Sequence, residues 1–226
     1  MFSRVIVAIG ESDCENIGSG LLAQPVNTVS SLAFAVFGLV VLFSVPGTAG
    51  RERTARIGFG ILMIGTGLGS VLFHGPQGFG SKFLHDVTFI LAVLFIAASS
   101  LSGIRSWSAQ LMWSVYGGFS LLVAVLLLIW PGSTNLLGGI AVLLLVVTDV
   151  LAHRARSVRM SWWVGALIAM AVAVAFYVGG RTGGPLCDSD ALFQGHALWH
   201  VLSAAALWAY FEATAPARVH VDGASA

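Results

Sequence analysis

Charge is scarce in this chain. Only 9% of its 226 residues are Asp, Glu, Lys or Arg, against roughly 25% in an average soluble domain, which excludes an ordinary water-exposed globular surface. The formal net charge is +1, so the basic footprint of a nucleic-acid binder is missing and no acidic partner is implied. Also absent are an internal repeat, a low-complexity tract and any composition break that would mark a second domain. The first apolar run, Val5 to Ile9, is too short for a secretory-signal core, and no small-residue cleavage pattern follows it closely. With the acidic Glu11, Asp13 and Glu15 behind it, this lead reads as an interfacial, extracytoplasmic segment over residues 1–26.

What the chain has instead is apolar length. Hydrophobic residues make up 57% of it, and its mean hydropathy is +0.90. Several runs reach the roughly 20 residues needed to cross a hydrocarbon core of about 30 Å. The expected spans are Asn27 to Val45, Arg56 to Phe73, Lys82 to Ser102, Ser108 to Trp130, Asn135 to Ala152, Trp162 to Gly179 and Ala191 to Phe211. Pro46-Gly47, Gly75-Pro76, Gly103, Pro131-Gly132 and the Gly179 to Pro185 cluster punctuate them. The expected fold is an all-α integral membrane protein, a seven-helix transmembrane bundle over residues 27–212 with a short cytoplasmic tail at 213–226. Cation placement orients it: Arg51, Arg53, Arg56, Arg105, Arg154, Arg156, Arg159 and Arg218 fall on one side, and only Arg4, Lys82 and Arg181 on the other. By the positive-inside rule the N-terminus lies outside and the C-terminus in the cytoplasm.

That orientation brings the rare polar residues to one depth. His196 and His200 are four apart, so on a helix both imidazoles share one face. A catalytic zinc ion takes three protein ligands and keeps its fourth position for water, and His74 is the candidate third ligand. Ser70 lies one turn before His74, and Asp86 follows a Gly/Pro turn. All five fall within about 15 Å of the same membrane face at 1.5 Å rise per residue. Ionisable groups inside a membrane are costly and usually face a bundle interior or watery cavity. Zinc brings the pKa of bound water towards about 7 and polarises a carbonyl. Asp86 is suited to carry the proton to a leaving amine, and Ser70 to hydrogen-bond a developing oxyanion, unless it bonds back to the i−4 carbonyl. Cys14 and Cys187 both fall on the outer side, where an oxidising compartment permits a disulfide; two unpaired, well-packed thiols are the alternative.

Taken in order, Cys14-Glu15, Pro25-Val26-Asn27-Thr28, Ser70-x-x-x-His74, Asp86, Cys187 and His196-x-x-x-His200 resemble the pattern of the alkaline ceramidases and their bacterial relatives. That family sits in a superfamily of seven-helix membrane hydrolases that includes the adiponectin-type receptors. The resemblance implies a zinc ion on His74, His196 and His200, catalytic assistance from Ser70 and Asp86, and a Cys14–Cys187 disulfide. It implies hydrolysis of the amide bond of a ceramide-like N-acyl lipid, releasing a fatty acid and a long-chain amine. Eukaryotic members hold calcium with an Asp-Trp-Cys-Glu stretch and a later Glu; here those positions read Ser12-Asp13-Cys14-Glu15 and Gln24. Glu15 and Asp13 are the candidate calcium ligands, and a solvated acidic loop is the plainer reading.

Other polar residues have simpler expectations. His85 is a neighbour of Asp86 that would exchange roles with it at another helix phase. Asp149 is expected in local pairing with His153 and Arg154, Asn27 in an interhelical bond, and the glycines of span two in close helix packing. Trp199 either faces away from the metal or shapes its pocket, and His220 has no assigned role. A seven-helix, zinc-containing, lipid-binding receptor-like protein with little turnover is the alternative function. A transporter ranks below both, because the inner half offers chiefly Thr148 and Asp149. Partners are the bilayer and the lipid substrate; the oligomeric state is not legible.

Overall fold

The computed structural model describes residues 10–155 and 158–214. Arg4, Arg156, Arg218 and His220 lie outside the described residues. Among the described residues there are seven α-helices and no strand: α1 (Pro25–Phe43), α2 (Gly50–His74), α3 (Ser81–Ile104), α4 (Ala109–Ile129), α5 (Thr134–Ala155), α6 (Met160–Gly179) and α7 (Gly195–Thr214). Six of them are long and apolar enough to cross a membrane, and the chain is an all-α membrane protein. The exception is α7. Its 20 residues would reach about 30 Å, but His196, His200, Ser203 and Glu212 dilute its apolar character.

Helix boundaries follow local chemistry. Pro25 opens α1, where a missing N–H costs nothing, and the Glu15 carboxylate accepts from the next two backbone N–H groups, Val26 at 2.7 Å and Asn27 at 2.8 Å. Those donors have no partner within the helix. Ser108 caps α4 by accepting from Leu111 N. Pro131 sits in a 3-10 turn, Pro131–Ser133, that separates α4 from α5.

Two boundaries depart from expectation. Helix α2 begins at Gly50 rather than Arg56, because Glu52 and Arg56 are buried and paired instead of fraying at an interface: Arg56 is 0% exposed and bonds Glu52 and, from α7, Glu212. Arg56 is therefore an internal cation and not an interfacial marker of orientation. Helix α7 begins at Gly195 rather than Ala191. The Gln194 side-chain amide donates to the carbonyls of Asp188 and Ala191 and holds the preceding residues in a turn.

Helices α2 and α3 form the centre, with 50% and 56% of their spans buried against 17% for α6. Helix α1 packs between α2 and α7, α3 between α2 and α5, and α6 against α7. Without a hydrophobic drive between helices in lipid, close approach has to come from small residues. A Cβ on Gly67 would lie 2.9 Å from Ala35 N of α1, and one on Gly69 would lie 2.8 Å from Leu84 O of α3. These contacts clamp the last turns of α2, which carry Ser70 and His74, between α1 and α3. The close packing expected of the span-two glycines is thus present.

Candidate metal centre

Three buried imidazoles meet where the end of α2 faces the start of α7. Ring centroids of His74 lie 5.0 Å from those of both His196 and His200, which are themselves 4.6 Å apart. One ligand nitrogen from each lies within 4.8 Å of the others, and among the described residues this is the group able to hold a metal ion. The four-residue spacing on α7 works as the helical period requires, and α2 brings the third ring from 122 positions earlier only through tertiary packing.

Whether these rings suit a cation shows in their hydrogen bonding. His74 Nε2 and both ring nitrogens of His196 are buried with no hydrogen-bond partner. Buried polar atoms normally have one, so unpartnered nitrogens converging on a point call for an explanation such as an ion. Their neutral nitrogen donors match what zinc prefers. The histidines fit a metal.

Each ring has a neighbour from residues 13–30. His74 Nδ1 lies 2.7 Å from Gln24 Oε1, His200 Nδ1 lies 3.0 Å from Ser30 Oγ, and His196 Nδ1 lies 3.6 Å from Asp13 Oδ1. Burial pushes the Asp13 carboxyl up from its ordinary value, opposed by the Arg181 guanidinium, the Ser12 hydroxyl and His85. Asp13 and Glu15 turn to different partners: Arg181 and His196 for the first, the α1 backbone for the second.

The Cys14–Cys187 disulfide is present, with Cα atoms 5.6 Å apart. It ties the lead to the loop before α7, reinforced by Thr182 Oγ1 donating to Glu11 O at 2.6 Å and Asn16 Nδ2 donating to Asp190 Oδ1 at 2.7 Å. Cys14 itself has φ 68°, an uncommon backbone region for a non-glycine residue; its N–H donates to Thr182 Oγ1.

Ser70 and Asp86 flank the histidines. Ser70 Oγ lies 3.4 Å from His200 Nε2 and 2.8 Å from Ser31 Oγ, which donates to Asn27 O at 2.6 Å. Its partner is thus a serine of α1 rather than the i−4 carbonyl. Asp86 Oδ2 accepts from Lys82 Nζ and from Thr134 Oγ1 at 2.6 Å, while Oδ1 lies 2.9 Å from His85 Nδ1. Both residues line a cavity of about 590 Å³ together with His196 and His200, a volume within the range of small-molecule sites. Phe34, Phe73, Phe89 and Trp199 supply apolar walls. Trp199 faces this space, its ring tilted at 47° against that of Tyr177 with centroids 5.0 Å apart, and so shapes the pocket.

A family model, Ceramidase, matches residues 14–225. The chain belongs to the Ceramidase family. Comparison with curated proteins returns no match. Ceramidase-family membership supports hydrolysis of the ceramide amide bond as the activity, with a lipid substrate drawn from a membrane, and the three-histidine cluster is compatible with a metal cofactor for it.

Sequence reasoning missed several partners in this ceramidase-family site. Ser30 and Ser31 carry no signal beyond lying two and three positions past the first turn of α1, and Gln24 stood out only as a departure from the eukaryotic pattern. Asn27 also differs from expectation. Its side-chain amide atoms have no hydrogen-bond partner; its backbone does the bonding, through N–H to Glu15 and through O to Ser30 and Ser31. Asp149 reaches further than local pairing, accepting from Tyr210 Oη at 2.8 Å and Trp163 Nε1 at 3.1 Å.

Proposed function

We propose that this protein is a zinc-dependent intramembrane amidohydrolase that cleaves ceramide-like N-acyl lipids to a fatty acid and a long-chain amine. The observation that carries the reading is the cluster of three buried histidines, two of them with ring nitrogens lacking a hydrogen-bond partner, at the edge of a cavity in a ceramidase-family chain. His74, His196 and His200 hold the ion. When bound, zinc acidifies a water and polarises the scissile carbonyl.

The chain's own groups do the rest. Asp86 Oδ1 and Oδ2 face His85, Lys82 and Thr134, an array that keeps the carboxylate aimed at the cavity. It accepts a proton from the attacking water and returns it to the amide nitrogen as the C–N bond breaks. Ser70 turns its hydroxyl hydrogen from Ser31 to the carbonyl oxygen as negative charge builds there. Phe34, Phe89 and Trp199 shelter the acyl chain and exclude bulk water. Glu15 and Asp13, the candidate calcium ligands, stand outside these steps: Glu15 caps α1 and Asp13 faces Arg181 and His196.

The proposed topology has seven spans, the N-terminus outside and the C-terminus in the cytoplasm. It is supported by Arg51, Arg53, Arg105, Arg154 and Arg159 lying at the helix ends opposite the histidines. The site then opens to the extracytoplasmic leaflet. The deciding experiment is metal analysis of the purified protein with fatty-acid release from a panel of N-acyl lipids. One zinc per chain and release of fatty acid support the reading; zinc without turnover on any lipid amide refutes it.

A further inference from the structure

We propose that Gln24 is a positioning residue that fixes His74 as the tautomer able to bind a metal, an inference that rests on the metal reading above. Gln24 is 0% exposed in the turn before α1. Its Nε2 donates to two backbone carbonyls, Gly10 O at 3.0 Å and Glu15 O at 2.9 Å. A carbonyl can only accept, so the amide cannot be turned over without leaving two acceptors facing a third. Oε1 is therefore the atom 2.7 Å from His74 Nδ1. An amide oxygen also only accepts, so Nδ1 carries the ring proton and, in a neutral imidazole, Nε2 carries the lone pair. That Nε2 is the buried atom without a partner.

Two main-chain carbonyls of the lead thus determine, through one amide, where a lone pair sits at the end of α2. The other two histidines have less definite neighbours. Ser30 Oγ, beside His200, belongs to a hydroxyl that can rotate, and Asp13 stands 3.6 Å from His196, beyond hydrogen-bond range. The amide is held in a fitted cradle: a Cβ on Gly10, whose φ is +76°, would lie 2.5 Å from Gln24 Oε1. His74 O accepts from Gln24 N at 2.9 Å, so the residue grips both the ring and the main chain of the same histidine.

The test compares zinc affinity, by chelator competition, and thermal midpoint in the parent, Gln24→Met and Gln24→Glu. Methionine removes all three side-chain bonds, and zinc binding should weaken about 10–100-fold. Glutamate keeps an acceptor for His74 Nδ1–H and loses only the donors to Gly10 and Glu15, so affinity should stay within about threefold of the parent even though the midpoint falls. Methionine binding zinc as the parent does, or both variants losing affinity in step with their midpoints, overturns the proposal. Nitrogen NMR of His74 in the metal-free parent needs no variant: a proton on Nδ1 is expected, and a proton on Nε2 overturns it. A parent that takes up no zinc refutes the metal reading, and the tautomer measurement then decides the role of Gln24 by itself.

Discussion

Helix α2 buries ionisable side chains at both ends and treats them oppositely. At its start every nitrogen of the Arg56 guanidinium is bonded: it donates to Glu52 at 2.9 Å, to the two Glu212 oxygens at 2.6 and 3.2 Å and to Ser44 Oγ at 2.9 Å, and Arg159 adds a second cation to Glu212 at 3.0 Å. About 27 Å further along, at 1.5 Å per residue, His74 is equally buried, yet its Nε2 and both nitrogens of His196 have no hydrogen-bond partner. A buried group costs free energy unless its hydrogen-bonding capacity is met. The Arg56 end meets it internally and so holds α1, α2 and α7 together with Arg159. The His74 end leaves it open, and open capacity at a shared point is what a ligand completes. The two ends therefore separate structure from chemistry within one helix.

Mutations at the two ends should separate in the same way. The largest effect is expected from His200→Ala, which should lose both zinc and fatty-acid release to the level of a blank, read by metal analysis and product assay. Retained zinc at the parent stoichiometry would break the contrast. Next comes Arg56→Met, which strands Glu52 and Glu212 without their central cation and should cost about 3–5 kcal/mol of stability. Unfolding in detergent reads that loss, and zinc per folded chain should stay unchanged; a drop would show that the ends are coupled.

Removing the disulfide as Cys14→Ser with Cys187→Ser should cost about 2–4 kcal/mol. Because Asp13 and Gln24 come from the segment it anchors, zinc affinity should fall as well, in contrast to Arg56→Met. Ser70→Ala should lower kcat about 100-fold with zinc content intact; an unchanged kcat would remove Ser70 from catalysis. The smallest change is expected from Asp149→Asn, which keeps an acceptor for Tyr210 or Trp163 and should cost about 1 kcal/mol without altering turnover.

Much of the candidate site is legible in the sequence. An i, i+4 histidine pair has one geometric meaning on a helix, and in a chain with so few charges an intramembrane histidine or aspartate stands out. The helices were legible too, since each apolar run between Gly and Pro signals became one, with the largest shifts at the polar starts of α2 and α7. What escaped was the neighbourhood of the three clustered histidines. Gln24, Ser30 and Ser31 are common residue types at unremarkable spacings, and nothing local says that an amide before α1 will meet a ring at the end of α2. Arg56 misled for a related reason: a cation near a span boundary looks interfacial until Glu212, from the last helix, is seen beside it.

Composition and periodicity alone determined that this chain is a helical membrane protein and which histidines had to be considered together, because apolar length and the 3.6-residue repeat act within single segments. Tertiary structure alone decided which buried groups are satisfied and which remain open. Hydrogen-bond completion depends on pairs such as Gln24 with His74, Ser31 with Ser70 and Arg56 with Glu212. Those pairs exist only once the helices are packed.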